Sequence, residues 1–329
     1  MRKCVKVVKE YGEMVRKLLM KHNLLDKDYR IVSSNEHLLI PVNDPIESEK
    51  ILREHGMVFE IISYSPPTKK VVRALEYSIP SHDVVGKIVI VREKVVNEFG
   101  RSRVIEILRN IYPWIEAIYV KHGTETDYRL SRLELLWGKE FRYIVHKEYG
   151  LRFYIDIHRV YFNPRLSTEH RLLAESIEDG EIVFDLFSGF GGFSIHIASL
   201  RDTIVYANDI NPYAIYCLLK SIILNRKKLR GTVYASILDT GIIPQYFKKS
   251  IADRIIANLP HRSIEFIETY DYLSHKGTIL HLYIIGNTIE EILDRVKRRT
   301  NNKWLFTGYR KVLDYSPYTY IFRVDLERL

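Results

Sequence analysis

The stretch IVFDLFSGFGGFS, residues 182–194, places a glycine-rich turn directly behind an apolar run. The run predicts a buried strand, and Gly189, Gly191 and Gly192 follow it. Glycine permits a sharp backbone turn and a close approach to a ligand. The spacing differs from that of a dinucleotide-binding turn, because Ser194 stands where the third glycine belongs, and it lacks the GK[ST] of a P-loop. The stretch therefore predicts a ligand-binding turn in an open α/β sheet.

Apolar runs and helical segments alternate after this turn. Further strands are predicted at 204–210, 232–239, 253–260 and 277–286. Helices are predicted at 192–200, 212–226, 262–274 and 287–299. Strands that alternate with helices form βαβ units and a parallel sheet. The last two runs, WLFTGYRKVL and YTYIFRVDL, have no predicted helix between them, so we expect the mostly parallel sheet to end in an antiparallel hairpin.

Two smaller domains are predicted upstream of this α/β region. Residues 1–64 read as a strand, an amphipathic helix and a hairpin, which make a small α+β domain. Two prolines and two lysines in SYSPPTKK, residues 63–70, mark its end. Residues 70–165 mix strands with one helix near 96–110 and predict a second α+β domain. Residues 166–329 are then expected to form the Rossmann-like domain.

The composition of the 329-residue chain is that of a globular protein, with 46% hydrophobic and 28% charged residues. Apolar stretches such as TILHLYIIG, residues 278–286, are too short to span a bilayer, and the N-terminal residues lack the apolar core of a signal peptide. The two cysteines form no disulfide framework, which favours a reducing, cytoplasmic location. The net charge of +9 indicates a polyanionic partner.

Two acidic residues stand at predicted strand ends. Asp209 lies at the end of the second strand of the α/β region, 24 residues after Asp185, and could accept hydrogen bonds from ribose hydroxyls. Asp239 closes the third strand and could accept from an adenine amino group. The alternatives are an acid that only starts a helix for Asp209 and a solvated turn acid for Asp239. Ligands bind at the carboxyl ends of strands in open α/β sheets. With its glycine-rich turn, these two acids and the final antiparallel hairpin, the region resembles the Rossmann-like S-adenosylmethionine-dependent methyltransferases.

The fourth strand ends in Asn258-Leu259-Pro260. The amide of Asn258 offers a donor and an acceptor to the edge of a base, and Pro260 fixes the turn. The alternative is a plain strand terminus. Since His261 follows instead of a second proline and an aromatic residue, the motif favours a ring nitrogen over an exocyclic amine as the methyl acceptor.

Four motifs in order give a more specific resemblance. VYFNPRLSTEH, DLFSGFGGFSI, NDINPYA and IIANLPHRSIEF are similar to motifs of the archaeal and eukaryotic tRNA (guanine-N1-)-methyltransferases, which modify the guanosine at tRNA position 37. The resemblance continues upstream through YRLSRLELLWGKE and VHKEYGLRF and covers essentially the whole chain. It implies S-adenosylmethionine as cofactor and tRNA as partner. It also implies that the N-terminal domain contacts the tRNA elbow, whereas the other two domains surround the anticodon loop.

The resemblance also implies roles for individual residues. Glu169 would be the general base that removes the guanine N1 proton, Arg129 would stabilise charge on the neighbouring carbonyl oxygen, and Asn258 would orient the base. On spacing alone, Glu169 could instead only pair with a helix dipole, behind a Ser167 or Thr168 cap. The expected cofactor-binding residues are Tyr161, Leu186, Ser188, Gly189, Gly191, Asp209, Ile210, Asp239, Asn258 and Pro260. The sequence predicts no metal ligands, no membrane, no obligate protein partner and a monomer.

Two departures from the family pattern keep other functions open. His170 follows the motif glutamate where an arginine is usual, and SGFGGFS replaces the common AGVGPFS. One alternative is an enzyme that also methylates the wyosine intermediate 4-demethylwyosine. The others are an aminocarboxypropyl transferase of wyosine synthesis and a tRNA-binding protein without catalytic activity.

Overall fold

The structure is a computed structural model, and it describes residues 2–26, 28–34, 36–66, 82–125, 130–316 and 318–329. The chain divides into two compact units, Met1–Ser78 and Ile79–Leu329. The predicted division at residues 64–70 falls partly outside the described residues, and the division at 165–166 lies within the second unit. The three predicted domains therefore stay a prediction.

The first unit is a small α+β structure with its own core. Its elements are β1 (Arg2–Val8), α1 (Lys9–Lys21), β2 (Val32–Ser33), β3 (His37–Pro41), α2 (Pro45–Glu54) and β4 (Glu60–Tyr64). Within the described residues, the four strands form an antiparallel sheet in the order β2-β3-β1-β4. Val5 and Ile40 from the sheet and Leu19 from α1 are fully buried. The predicted strand, helix and hairpin are present, and α2 is an additional helix that Asp44 caps.

The second unit begins with a mixed sheet and a separate hairpin. Its first elements are β5 (His82–Val85), β6 (Ile88–Arg92), α3 (Glu93–Phe99), α4 (Arg101–Ile111), β7 (Ala117–Glu125), β8 (Leu130–Gly138), β9 (Tyr143–Glu148) and β10 (Leu151–Asp156). The expectation of one helix near 96–110 was wrong. Gly100, with φ +79°, interrupts it and divides it into two helices.

A larger sheet occupies the rest of the second unit. Its helices and strands are α5 (Ser167–Glu175), β11 (Ile182–Asp185), α6 (Gly192–Leu200), β12 (Ile204–Asn208), α7 (Pro212–Asn225), β13 (Thr232–Ser236), β14 (Ala252–Ala257), α8 (Ile267–Leu273), β15 (Ser274–Gly286), α9 (Ile289–Thr300), β16 (Trp304–Ser316) and β17 (Thr319–Arg328). Among the residues described, seven strands pair in the order β13-β12-β11-β14-β15-β17-β16. Strands β11 to β15 are parallel and the last two are antiparallel. The predicted α/β class, with its final hairpin, is confirmed.

The core of this sheet explains the apolar runs. Phe184, Ile255 and Leu280 lie on neighbouring strands and are at most 1% exposed. Helices cover the sheet, so the parallel strands are buried on both faces and read as continuous hydrophobic segments. Because β11 to β14 run parallel, the loops that follow them meet at one edge of the sheet.

Candidate active site

The glycine turn after β11 opens the site. Gly189 and Gly191 have φ values of +54° and +92°, which side-chain-bearing residues rarely adopt. A Cβ at Gly191 would lie 2.3 Å from Leu218 Cδ1, so close packing also requires glycine there. A Cβ at Gly189 would meet nothing within 4 Å among the described residues. The turn therefore keeps one side open.

Asp209 is held beside this turn by backbone donors. Its Oδ2 accepts from the Gly189 amide at 2.8 Å, and its Oδ1 accepts from the Asn211 amide at 2.8 Å. Burial raises the pKa of the Asp209 carboxyl, while these two hydrogen bonds act in the opposite direction. Each carboxylate oxygen keeps a further lone pair, so Asp209 can still accept from ligand hydroxyls. Asn211 caps α7 through its side chain.

Asn208 was missed by the sequence reasoning, although it precedes Asp209 directly. The buried Asn208 Nδ2 donates to the carbonyls of Leu186 and Leu238 at 3.4 and 3.0 Å. Its Oδ1 accepts from the Ser236 hydroxyl and the Leu238 amide. Asn208 thus connects the ends of β11, β12 and β13. The sequence shows that a polar residue ends the apolar run, but it does not show that Asn208 links three strand ends.

Asp239 lies in the segment that follows β13, and it is exposed. Its Oδ1 accepts from the Gly241 amide at 2.7 Å and caps the 3-10 helix Thr240–Gln245. This contact agrees with the alternative prediction that Asp239 is a turn acid. Asp239 also lines the pocket described next, so capping and ligand contact are compatible.

A pocket of about 430 Å³ lies at the carboxyl ends of β11 to β14. Its walls are aromatic or aliphatic in part, including Phe187, Phe190 and Leu259. The predicted site residues that line it are Tyr161, Ser188, Gly189, Asp209, Ile210, Asp239, Asn258 and Pro260. Leu186 and Gly191 are not among the lining residues. The Leu186 carbonyl accepts from Asn208 and Thr240, and Gly191 is the N-cap residue that precedes α6. An apolar cleft with a few convergent polar groups is typical of a cofactor site.

The Asn-Leu-Pro sequence forms a fixed turn at this pocket. The Leu259 carbonyl accepts from the amides of Arg262 and Ser263 at 2.8 and 2.7 Å. The Pro260 carbonyl accepts from the Ile285 amide at 3.1 Å, which ties the turn to β15. Asn258 lines the pocket. The backbone contacts therefore fix the turn that directly follows Asn258.

Glu169 lies in the first turn of α5 and is only 3% exposed. Its Oε1 accepts from Arg323 Nη1 at 2.7 Å and from the Tyr283 hydroxyl at 2.8 Å. Its Oε2 lies 3.2 Å from Arg310 Nε, a distance that forms an ion pair without hydrogen-bond geometry. Glu169 does not line the pocket, whereas the adjacent His170 does. The sequence gave no hint of these arginines, because they lie more than 140 residues further along the chain.

Two other predictions concern the same region. The expected Ser167 or Thr168 cap was wrong: Asn163 caps the 3-10 turn Pro164–Leu166, and α5 continues directly from that turn. Arg129 lies outside the described residues, so its proposed contact with the base stays a prediction.

Asp185, at the end of β11, is a buried carboxyl behind the glycine turn. It is fully buried, and Ser194 Oγ donates to its Oδ2 at 2.6 Å. Burial raises the pKa of Asp185 to about 7, an effect that the Asp209 charge increases and the Ser194 hydrogen bond opposes. Its Oδ1 finds no hydrogen-bond partner within the described ranges. Asp185 therefore has one buried acceptor without a partner among the described residues, just before the glycine-rich turn that lines the pocket.

The sheet order, the final hairpin and the pocket together define a Rossmann-like methyltransferase. Sequence comparison agrees with this class. The TRM5/TYW2 methyltransferase domain matches residues 144–305, and the tRNA methyltransferase 5 N-terminal domain matches residues 4–51. Helices long and apolar enough to cross a membrane are absent from the part of the chain that the structure describes.

Full-length relatives give the family. The tRNA (guanine(37)-N(1))-methyltransferase Trm5b of Pyrococcus abyssi is 32% identical, over 98% of this chain and 97% of that protein. A complex of aTrm5 with tRNALeu has 27% identity and a TM-score of 0.66, with 99% of each chain covered. Methanocaldococcus jannaschii Trm5 in complex with adenosine has 29% identity and a TM-score of 0.61, again with 99% of each chain covered. The chain belongs to the family of tRNA (guanine(37)-N(1))-methyltransferases.

Proposed function

We propose that this protein is an S-adenosylmethionine-dependent tRNA methyltransferase that forms 1-methylguanosine at position 37, next to the anticodon. The observation that carries the proposal is that Asp209, Asp239 and Asn258 line the same pocket. These three residues follow three different parallel strands, and the fold brings their polar groups together where a cofactor and a base can meet. The similarity to Trm5b over the whole chain supports the choice of tRNA as substrate.

The pocket fits the adenosine half of the cofactor. Asp209 can accept from ribose hydroxyls, Asp239 can accept from an adenine amino group, and the open side of Gly189 permits close contact with a ligand. When bound there, S-adenosylmethionine supplies an activated methyl group. The structure of the M. jannaschii relative with adenosine supports the same assignment.

The target base needs orientation and loss of a proton. Guanine N1 carries a proton, so its lone pair becomes available only as that proton leaves and negative charge develops on the ring. Asn258 can donate to or accept from the base edge, and the fixed turn around Pro260 holds its amide in place. A base from the anticodon loop must leave its stack to reach this pocket.

Glu169 stays the proposed general base, and its surroundings set a condition. Arg323 holds Glu169 Oε1 and Arg310 lies beside Oε2, so the carboxylate can meet a base only when one of these contacts opens. The Arg310 side chain is 47% exposed, whereas that of Arg323 is 16% exposed. An incoming tRNA phosphate can therefore attract Arg310 and release Glu169 Oε2, while Arg323 continues to hold the other oxygen.

One rival reaction uses the same cofactor. An aminocarboxypropyl transferase of wyosine synthesis would share the TRM5/TYW2 domain, so that match alone does not separate the two reactions. The N-terminal domain match at residues 4–51 and the Asn258-Leu259-Pro260 turn favour methyl transfer. Methylation of 4-demethylwyosine would be an additional activity of the same pocket.

The test uses cofactor labelled either in its methyl group or in its aminocarboxypropyl group. The protein is incubated with tRNA carrying guanosine or adenosine at position 37, and the nucleosides are analysed. We expect methyl label in 1-methylguanosine with the guanosine substrate and no label with the adenosine substrate. Transfer of the other label supports the aminocarboxypropyl reaction, and transfer of neither label supports a binding protein. An Asn258→Ala variant that binds cofactor normally separates loss of base orientation from loss of the cofactor site.

The contacts with tRNA can be tested separately. We propose that the N-terminal unit binds the elbow, that the rest of the chain surrounds the anticodon loop, and that the enzyme acts as a cytoplasmic monomer. Full tRNA should then have a markedly lower KM than an isolated anticodon stem-loop. Equal KM values for the two substrates would contradict the elbow contact. Sedimentation of the protein with and without tRNA measures its oligomeric state.

A further inference from the structure

One carboxylate and two imidazoles converge between β9, α5 and α6. Glu148 Oε2 lies 2.9 Å from His170 Nδ1 and 3.2 Å from His196 Nε2. The three candidate ligand atoms all lie within 4.8 Å of one another, and their side chains are at most 4% exposed. Three atoms at these separations surround a point that small side-chain adjustments bring to about 2.0–2.2 Å from each of them, the range of Zn²⁺ ligand distances.

The hydrogen bonds within this buried cluster do not satisfy all of its polar atoms. A buried carboxylate requires a positive partner or complete hydrogen bonding. Glu148 Oε1 and His196 Nδ1 both lack a hydrogen-bond partner among the residues that the structure describes. The imidazole network is therefore incomplete as a purely hydrogen-bonded arrangement.

The surroundings of the cluster include a third imidazole and a glycine. His146 Nε2 lies 3.8 Å from Glu148 Oε1, the oxygen that does not contact His170 or His196, and the His146 side chain is 13% exposed. The His170 ring lies against Gly192, where a Cβ would be only 2.5 Å from the ring. His170 and Gly192, two of the positions at which this chain departs from its family pattern, are thus in contact. Glycine at 192 provides the space that the imidazole occupies.

We propose that Glu148, His170 and His196 bind a divalent transition-metal ion of the zinc class. Two imidazoles and one carboxylate are donor groups that Zn²⁺ prefers. The ion would connect β9 to α5 and α6 and fix His170, which forms part of the pocket wall. Its role is structural, and the proposal does not depend on the reaction that the pocket performs. The sequence predicted no metal because the ligands lie 22 and 26 residues apart and share no local motif.

The experiment uses the full-length protein without a histidine tag. After treatment with chelator, the protein is titrated with Zn²⁺, its metal content is measured by mass spectrometry, and Co²⁺ is used as a spectroscopic probe. We expect one ion per chain, a higher melting temperature with Zn²⁺, and the absorption of tetrahedral Co²⁺. The His196→Gln variant should bind Zn²⁺ more than about tenfold less tightly.

Two further variants protect the test against misfolding. His170→Arg places a permanent positive charge beside Glu148 and removes a ligand, so it should fold and lose the ion. His275→Gln changes a histidine outside the cluster and should bind Zn²⁺ as the wild type does. Uptake well below one ion per chain by the wild type would overturn the proposal. Equal Zn²⁺ affinity of wild type and His170→Arg would overturn it as well, since the imidazole would not be a ligand.

Discussion

The carboxyl edge of the parallel sheet and the first turn of α5 both hold carboxylates, in opposite electrostatic settings. At the sheet edge, backbone amides hold Asp209, and the carboxylate keeps lone pairs that can face a ligand. In α5, Arg323 and Arg310 neutralise Glu169, and Tyr283 donates to it as well. Backbone amides position a carboxylate without neutralising its charge, whereas guanidinium groups position it and also neutralise its charge. The first arrangement leaves acceptors open to a ligand. In the proposed mechanism, the second must release one arginine contact before Glu169 can meet the base.

The largest effect is expected at Glu169. Glu169→Gln should slow methyl transfer by about 10²–10⁴-fold, because an amide does not accept the guanine proton. Cofactor affinity should change little, since Glu169 lies outside the pocket wall. Single-turnover kinetics and cofactor titration give the two quantities. Glu175→Gln, an exposed position on the same helix, is the control. A parallel loss of cofactor affinity and rate would mean that Glu169 only supports the structure.

The next effect concerns Asp185 and its dependence on pH. Its pKa rises from 3.8 when unfolded to about 7 when folded, so the folded state holds the proton more tightly. Relative to Asp185→Asn, the wild type should therefore be most stable below about pH 4 and lose stability up to pH 7, by about 4 kcal/mol in total. Urea unfolding of both proteins across this range, without cofactor, measures the difference. A pH-independent difference would show that burial does not perturb this carboxyl.

A smaller effect is expected where the two regions touch, at Gly192 and His170. Gly192→Ala would push a Cβ into the imidazole ring, and such overpacking costs about 1–3 kcal/mol. In a His170→Ala background the same change should be neutral or stabilising, because alanine is the better helix residue. Chemical unfolding of the four proteins gives a double-mutant cycle. An equal cost in both backgrounds would place the strain elsewhere.

The smallest effect is expected at Asp239. Asparagine caps helical turns as well as aspartate does, so Asp239→Asn should leave the free energy of unfolding unchanged. Loss of one acceptor for the adenine amino group should weaken cofactor binding by about 1 kcal/mol, or about fivefold. Calorimetry with the cofactor checks the affinity, and thermal unfolding checks the cap. Unchanged affinity would leave Asp239 as a turn acid only.

These regions also differ in how far the sequence could predict them. Asp209, Asp239 and Asn258 each follow a predicted strand, and a parallel sheet brings such positions to one edge, so local pattern and topology sufficed. The partners of Glu169 could not be predicted this way, because Arg310 and Arg323 come from a hairpin whose register depends on the folded sheet. The cluster around Glu148 was missed for the same reason, since its members belong to three separate elements.

The final hairpin has a consequence for the order in which the enzyme matures during synthesis. The loops after β11 to β14, which supply most of the pocket lining, precede β16 and β17 along the chain, although Ile321 of β17 also lines the pocket. Folding during translation proceeds from the N-terminal side, so a nascent chain can assemble most of the cofactor pocket before Arg310 and Arg323 have been added. Until they arrive, Glu169 lacks its counter-charges and β15 lacks its antiparallel neighbour. Cofactor binding by the growing chain can therefore begin before the arginine contacts of Glu169 have formed.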